Sequence, residues 1–305
     1  MSPGRKILIG AVVLLLVVIA LAAAFGSHGM NSEYQPQNEF KLDPWISIKL
    51  AGIDFSINKA VLYLFLAASL TVGTMIFVAR RMQQRPNRVQ TAVEAIYGLM
   101  RSNIAGPNNI DRRMAAKWFP FIAALFLFIW FSNLLGYIPL PVNSEETFKL
   151  FGAHIPSFAV YAATANISVT LALTLVVWFS YHVEGVRAKG FRGYIKSWLP
   201  GGLDNVPAKF ILIPGIFAIE VISQLVRVIS LSVRLFANIL AGHLLILFMA
   251  GGLVVLLGLA ALGAVTLPVA VIFFIFEVVL IATLQAFIFA TLTAIYLGGA
   301  VAESH

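Results

Sequence analysis

The chain has 305 residues, 60% of them hydrophobic and only 11% charged, with a mean hydropathy of +0.92, which argues against a soluble globular enzyme, since such a domain is nearer half apolar and a quarter charged. It has no cysteine, which excludes disulfides, thiolate catalysis and cysteine-ligated metal. The net charge of +8 would raise nucleic acid as a partner in a soluble protein, but here the basic residues sit in short loops between apolar runs, the pattern of a membrane topology.

The first apolar run, residues 7–25, follows Arg5 and Lys6. Its basic start and the small residues Ala22, Ala23 and Ala24 fit a signal peptide, while its length fits a span; the span is preferred, and either one sends the next segment outside. Residues 26–58 are polar and mixed in charge, with Pro36 and Pro44, and read as external. The chain therefore divides into an N-terminal portion, 1–58, and a membrane domain, 59–305. A second span, 59–79, ends in Arg80, Arg81, Arg85 and Arg88, which places that end in the cytoplasm. Residues 88–105 read as an amphipathic helix on the membrane surface, with Val89, Val93, Ile96, Tyr97 and Met100 along one side.

The third span, 118–138, closes in the turn signal LGYIPLP, and the acidic loop after it, with Glu145 and Glu146, is external. A fourth span, 157–181, leads to a loop holding Arg187, Lys189, Arg192, Lys196 and Lys209, cytoplasmic by the same rule. Two long helical segments remain, about 207–250 and 262–297, stopped by Gly251 and Gly252 and by Gly298 and Gly299. From Pro214 to Ala250 a helix would run roughly 55 Å at 1.5 Å per residue, against a hydrocarbon core about 30 Å thick. No proline follows Pro214 until Pro268, so an unbroken oblique helix is expected. The fold class is all-α polytopic: five core membrane helices and an extra N-terminal span, the last two helices forming a long, strongly tilted antiparallel hairpin.

Charges inside those last helices point to function. The penultimate one carries Glu220, Arg227, Arg234 and His243, the last Glu277 and Gln285. A charge at the bilayer centre costs about 2.5 to 3.5 kcal/mol on insertion scales, so each needs a reason to be there. At about 100° per residue, Glu220, Arg227, Ser230 and Asn238 fall within about 40° of Arg234, and His243 falls on the opposite face. If the two helices are antiparallel neighbours, one register sets Arg234 level with Gln285 and His243 level with Glu277. Glu277 can then satisfy His243, whereas the neutral amide of Gln285 cannot neutralise Arg234, and Glu220 is too far along the axis. A carboxylate from another subunit is expected opposite Arg234. The plain reading of Arg227 is a side chain snorkelling to an interface, and that of His243 and Glu277 a packing bond, against a proton relay.

At these residues the chain resembles subunit a of the F-type ATP synthase. The resemblance rests on EVISQLVRVISLSVRLFANILAGH at 220–243, IFEVVLIATLQAFIFATLTAIYL at 275–297, FIWFSNLLGYIP at 128–139 and, more weakly, PSFAVYAATANISVTLALTL at 156–175. It implies a proton-conducting stator subunit, not an enzyme by itself and needing no cofactor or metal. Its implied partners are a ring of c subunits with one carboxylate each, the b subunits of the peripheral stalk, the rest of the synthase and the lipid bilayer, with no nucleic acid. It implies that Arg234 separates two half-channels, that Asn238, His243, Glu277, Gln285 and Glu220 serve proton translocation, and that Ser230, Arg227, Asn166 and Ser168 are of second rank. Asn166 and Ser168 stand where the family pattern TADLNTTLAL has aspartate and asparagine, which weakens an ionisable relay there. It further implies a bacterial plasma membrane with the C-terminus in the cytoplasm. A secondary transporter would show two related halves and broken helices, and a scaffold subunit would not need Arg234, His243 and Glu277 together.

Overall fold

The computed structural model describes residues 56–82, 112–138, 162–199, 209–249 and 263–302, with 5, 42, 44, 49–50, 53–54, 90–91, 94, 98, 147–150 and 153–156. The N-terminal apolar run lies outside the described residues, as does most of the surface helix expected over 88–105, of which Gln90, Thr91, Glu94 and Gly98 are helical. The chain falls into two compact units interleaved along the sequence. The first comprises Met1–Lys59, Tyr137–Tyr161 and Leu240–Ile281, the second Ala60–Gly136, Ala162–Ile239 and Ala282–His305.

Five helices among the described residues are long and apolar enough to cross a membrane: Lys59–Arg81, Ala116–Gly136, Ile167–Lys196, Leu212–Leu247 and Thr266–Val301. The protein is accordingly an all-α polytopic membrane protein. Beside the helices, the first unit has two small antiparallel pairs, β1 (Lys49–Leu50) with β2 (Ile53–Asp54) and β3 (Thr147–Leu150) with β4 (Ala153–Pro156).

Helix α1 (Lys59–Arg81) buries Ala60, Tyr63, Ala67 and Thr71, three and four residues apart, and exposes Leu62, Phe65, Leu66, Val72, Ile76 and Phe77. Small and polar groups lie inside and large apolar ones outside because lipid solvates leucine as well as a protein core does. Thr71 meets its own polar demand by donating to the Ala67 carbonyl at 2.7 Å.

In the second unit α2 (Arg112–Gly136) and α3 (Ile167–Lys196) both pack on α6 (Ala282–Val301). The reason is legible in α6: Ala282, Ala286, Ala290, Ala294 and Gly298 recur every four residues and all are buried, so neighbouring backbones can approach closely. Gly136, which ends α2, plays the same part, since a Cβ there would overlap Ala162. Buried Asn133 on α2 accepts from Thr164 at 2.6 Å and donates to the Ala282 carbonyl at 3.2 Å, while Trp130 donates to Thr283 at 3.1 Å. Buried Glu184 on α3 is held by Lys117 of α2 and by Arg187.

Helix α3 corrects the expected boundary of the fourth span. It continues to Lys196, so Arg187, Lys189 and Arg192 ride on helix rather than loop. The chain bends at Gly190, whose φ of +71° suits glycine alone, and helix resumes beyond it. The start is set by Asn166, which caps α3 by accepting from the Ser168 amide at 2.8 Å.

Helix α4 (Lys209–Leu247) runs 39 residues and contains Pro214, where the missing amide removes a bond near the N-terminus only. It is unbroken, as its sequence predicts. The last segment is α5 (Gly263–Phe276), a π-helical turn (Glu277–Ile281) and α6. Such wide turns are rare and concentrate at functional sites.

Candidate functional site

In the second unit α4 has two unlike faces. Gln224, Val228, Leu231, Ser232, Leu235 and Ile239 are buried. Ile219, Ile222, Val226, Ile229 and Val233 are exposed, and the same outer surface carries Ser230, Arg234 and Asn238. Arg234 is thus a cation on an apolar exposed face, and among the described residues no carboxylate bonds or pairs with it.

Within this unit Arg227 lies over the Tyr296 ring at 5.5 Å, and Asn238 donates to Gln285 Oε1 at 2.8 Å. From Arg227 to Asn238 is eleven residues, and so is the return from Tyr296 to Gln285, which makes α4 and α6 antiparallel. The register differs from the sequence expectation by four residues, about one helical turn: Gln285 meets Asn238, not Arg234. That register is fixed by the Asn238–Gln285 and Arg227–Tyr296 contacts, and nothing in the periodicity of α4 alone reveals it. Gln285 is buried, and its amide nitrogen meets no acceptor among the described residues.

Further along α4, Glu220 gathers a second polar group. Gln224 donates to Glu220 Oε1 at 2.7 Å and accepts from Tyr181 at 2.7 Å. Arg227 stands 3.9 Å from the same carboxylate oxygen, so it pairs within the protein rather than only reaching for an interface. These residues line a cavity of about 460 Å³, together with Tyr194 and Trp198. Gln224, four residues after Glu220, could have been found from helical spacing; Tyr181 is brought in by packing from α3.

The first unit holds the other cluster. His243, Glu277 and Tyr137 are 3%, 7% and 3% exposed. Tyr137 donates to Glu277 Oε2 at 3.1 Å, and its ring stacks on His243 with centroids 4.2 Å apart. A Cβ on Gly242 would overlap the Glu277 carboxylate, so helix backbone and carboxylate touch closely there. The sequence brought His243 and Glu277 together but missed Tyr137. Tyr137 lies 106 residues before His243, within the FIWFSNLLGYIP stretch, and only its phenol at the end of an apolar span marked it.

Of the remaining sequence candidates, Asn166 is the cap of α3, and Ser168, whose amide it holds, is exposed. What the two clusters offer chemically is exchangeable protons inside an apolar protein: carboxylate, imidazole, phenol and amide groups, with the guanidinium of Arg227 among them and that of Arg234 on the outer face.

Comparison with known proteins bears on this arrangement. The family model described as ATP synthase A chain matches residues 61–298. The ATP synthase subunit a of Rubrobacter xylanophilus is 37% identical over 252 residues, covering 83% of this chain and 87% of that protein. Those of Hyphomonas neptunium and Rhizobium rhizogenes are 33% and 35% identical, covering 88% and 87% of this chain and 97% and 96% of the relatives.

Proposed function

This chain belongs to the ATP synthase A chain family, the non-catalytic, proton-translocating membrane subunits of the Fo sector, and on that premise we propose how its residues carry protons. Arg234 separates two half-channels that serve the carboxylates of a c-subunit ring. The ring lies against the exposed face of α4, and b subunits of the peripheral stalk hold the chain against it. The membrane is a bacterial plasma membrane with the C-terminus in the cytoplasm, in keeping with the basic residues Arg80, Arg81, Arg187, Lys189 and Arg192 at alternate helix ends.

A proton enters from outside through Tyr137, His243 and Glu277, reaches Asn238 and Gln285, and neutralises a ring carboxylate. Neutral, that carboxylate crosses lipid without the cost of an ion. On its return it meets Arg234, whose positive field favours the ionised form. The proton leaves through the cavity at Glu220, Gln224 and Arg227. Arg234 keeps its own proton, since a guanidinium does not lose it in a protein; it acts as a barrier and an electrostatic gate.

The observation that carries this reading is a lone arginine on an apolar, exposed helix face, with no anion beside it among the described residues. In this reading its counter-charge is a ring carboxylate of another chain. The test is ATP synthesis by membrane vesicles in which Arg234 is replaced by alanine or lysine. Both variants are expected to fail, lysine because it lacks the planar fork of donors. Wild-type synthesis by either would refute the mechanism. Co-purification of a c-ring with the wild-type chain tests the partner.

A further inference from the structure

One side chain touches both titratable groups of the buried cluster. The hydroxyl of Tyr137 donates to the Glu277 carboxylate at 3.1 Å, and the face of the same ring lies on His243, with planes 29° apart. Phe274 also meets this ring, nearly perpendicular, at 6.2 Å between centroids. Gly242 leaves no room for even a methyl group beside the carboxylate. Glu277 is therefore confined between the backbone of α4 and the Tyr137 hydroxyl.

The three groups differ in what they can do. A carboxylate accepts when ionised and donates when protonated, and an imidazole changes role with its tautomer. A phenol keeps its single proton at neutral pH and can always donate it. With all three members more than nine-tenths buried, a lost hydrogen bond is not readily replaced by bulk water.

We infer that Tyr137 is a positioning residue for proton uptake: its hydroxyl aims the Glu277 carboxylate and its ring fixes His243 beside it, so that the two exchange protons in one geometry. No covalent bond changes, and the O–H of Tyr137 stays intact. This inference rests on the half-channel reading above.

The experiment measures ATP-driven proton uptake by vesicles carrying the whole synthase, with Tyr137→Phe and Glu277→Gln side by side. Phenylalanine keeps the ring and its stacking and removes only the hydroxyl. Tyr137→Phe is expected to assemble normally and to take up protons roughly three- to tenfold more slowly, the scale of one hydrogen bond. It should also shift the infrared carboxyl band that disappears in Glu277→Gln. Wild-type uptake in Tyr137→Phe beside slow uptake in Glu277→Gln overturns the role of Tyr137 and leaves the half-channel standing. Wild-type uptake in Glu277→Gln overturns the half-channel reading and this inference with it. Slow uptake with an unmoved band assigns the defect to packing and overturns the inference alone.

Discussion

The cluster of Tyr137, His243 and Glu277 and the stripe around Arg234 place ionisable groups in an apolar protein by opposite means. The cluster is buried and closed: the tyrosine serves both the imidazole and the carboxylate. The stripe is open: Arg234 stands on an exposed apolar face, and no carboxylate pairs with it among the described residues. Under the proposed mechanism, the difference separates what the chain completes by itself from what it leaves to a partner. A substitution that changes side-chain volume in the closed cluster should disturb both packing and function, and one on the open stripe function alone.

The largest expected effect is at Arg234. Arg234→Ala should reduce coupled ATP synthesis to background while the subunit accumulates in the membrane at its normal level, because the side chain is exposed and no carboxylate pairs with it among the described residues. Synthesis assays with quantitation of the membrane-bound subunit check this; disappearance of the variant chain would make Arg234 structural and erase the contrast. Gly242→Ala comes next. The added methyl overlaps the Glu277 carboxylate, so proton uptake should fall, and overpacking of this kind costs about 1 to 3 kcal/mol. Gly215→Ala on the same helix is the control: nothing lies within 4 Å of a Cβ there, and uptake and melting temperature should hold. Equal effects of the two glycine variants would show that the cluster is not tightly closed.

Asn133→Ala should act on stability more than on transport. It removes the acceptor of Thr164 and a donor to the Ala282 carbonyl, and leaving such buried groups unpaired costs about 1 to 3 kcal/mol, readable as a lower melting temperature of the detergent-purified complex. Asn166→Ala is expected to be the mildest, with the loss of one helix cap costing about 1 kcal/mol and proton uptake unchanged. Slow uptake in an Asn166→Ala complex of normal stability would put that residue on the proton path and sharpen the boundary between cap and relay.

Much of the fold was legible because lipid simplifies the problem. A chain in hydrocarbon must satisfy its backbone polar groups internally, so long apolar runs become helices, and α1, α2 and α4 lie within a few residues of where hydropathy puts them. Charge was a poorer guide to helix ends. The basic residues after Tyr181 suggested a loop, yet arginine and lysine are good helix formers and α3 runs on through them to Lys196, bent at Gly190. The β3–β4 hairpin in the loop after α2 was not foreseen, because Thr147–Leu150 alternates polar and apolar over four residues only, too short a run to stand out in an acidic loop.

The sequence by itself determined which residues share a helix face, because that depends only on the local rise and turn of one helix: Arg234 with Asn238 and Ser230 outward, His243 on the opposite, buried side. It also determined the family, through the motifs around those residues. Only the tertiary structure decided what stands opposite each of them. Gln285 meets Asn238 rather than Arg234, Gln224 and Tyr181 gather at Glu220, and Tyr137 joins His243 to Glu277. Those pairings join residues from different helices, or residues whose approach depends on side-chain packing. Register is a property of two packed surfaces, so no period read along one of them contains it.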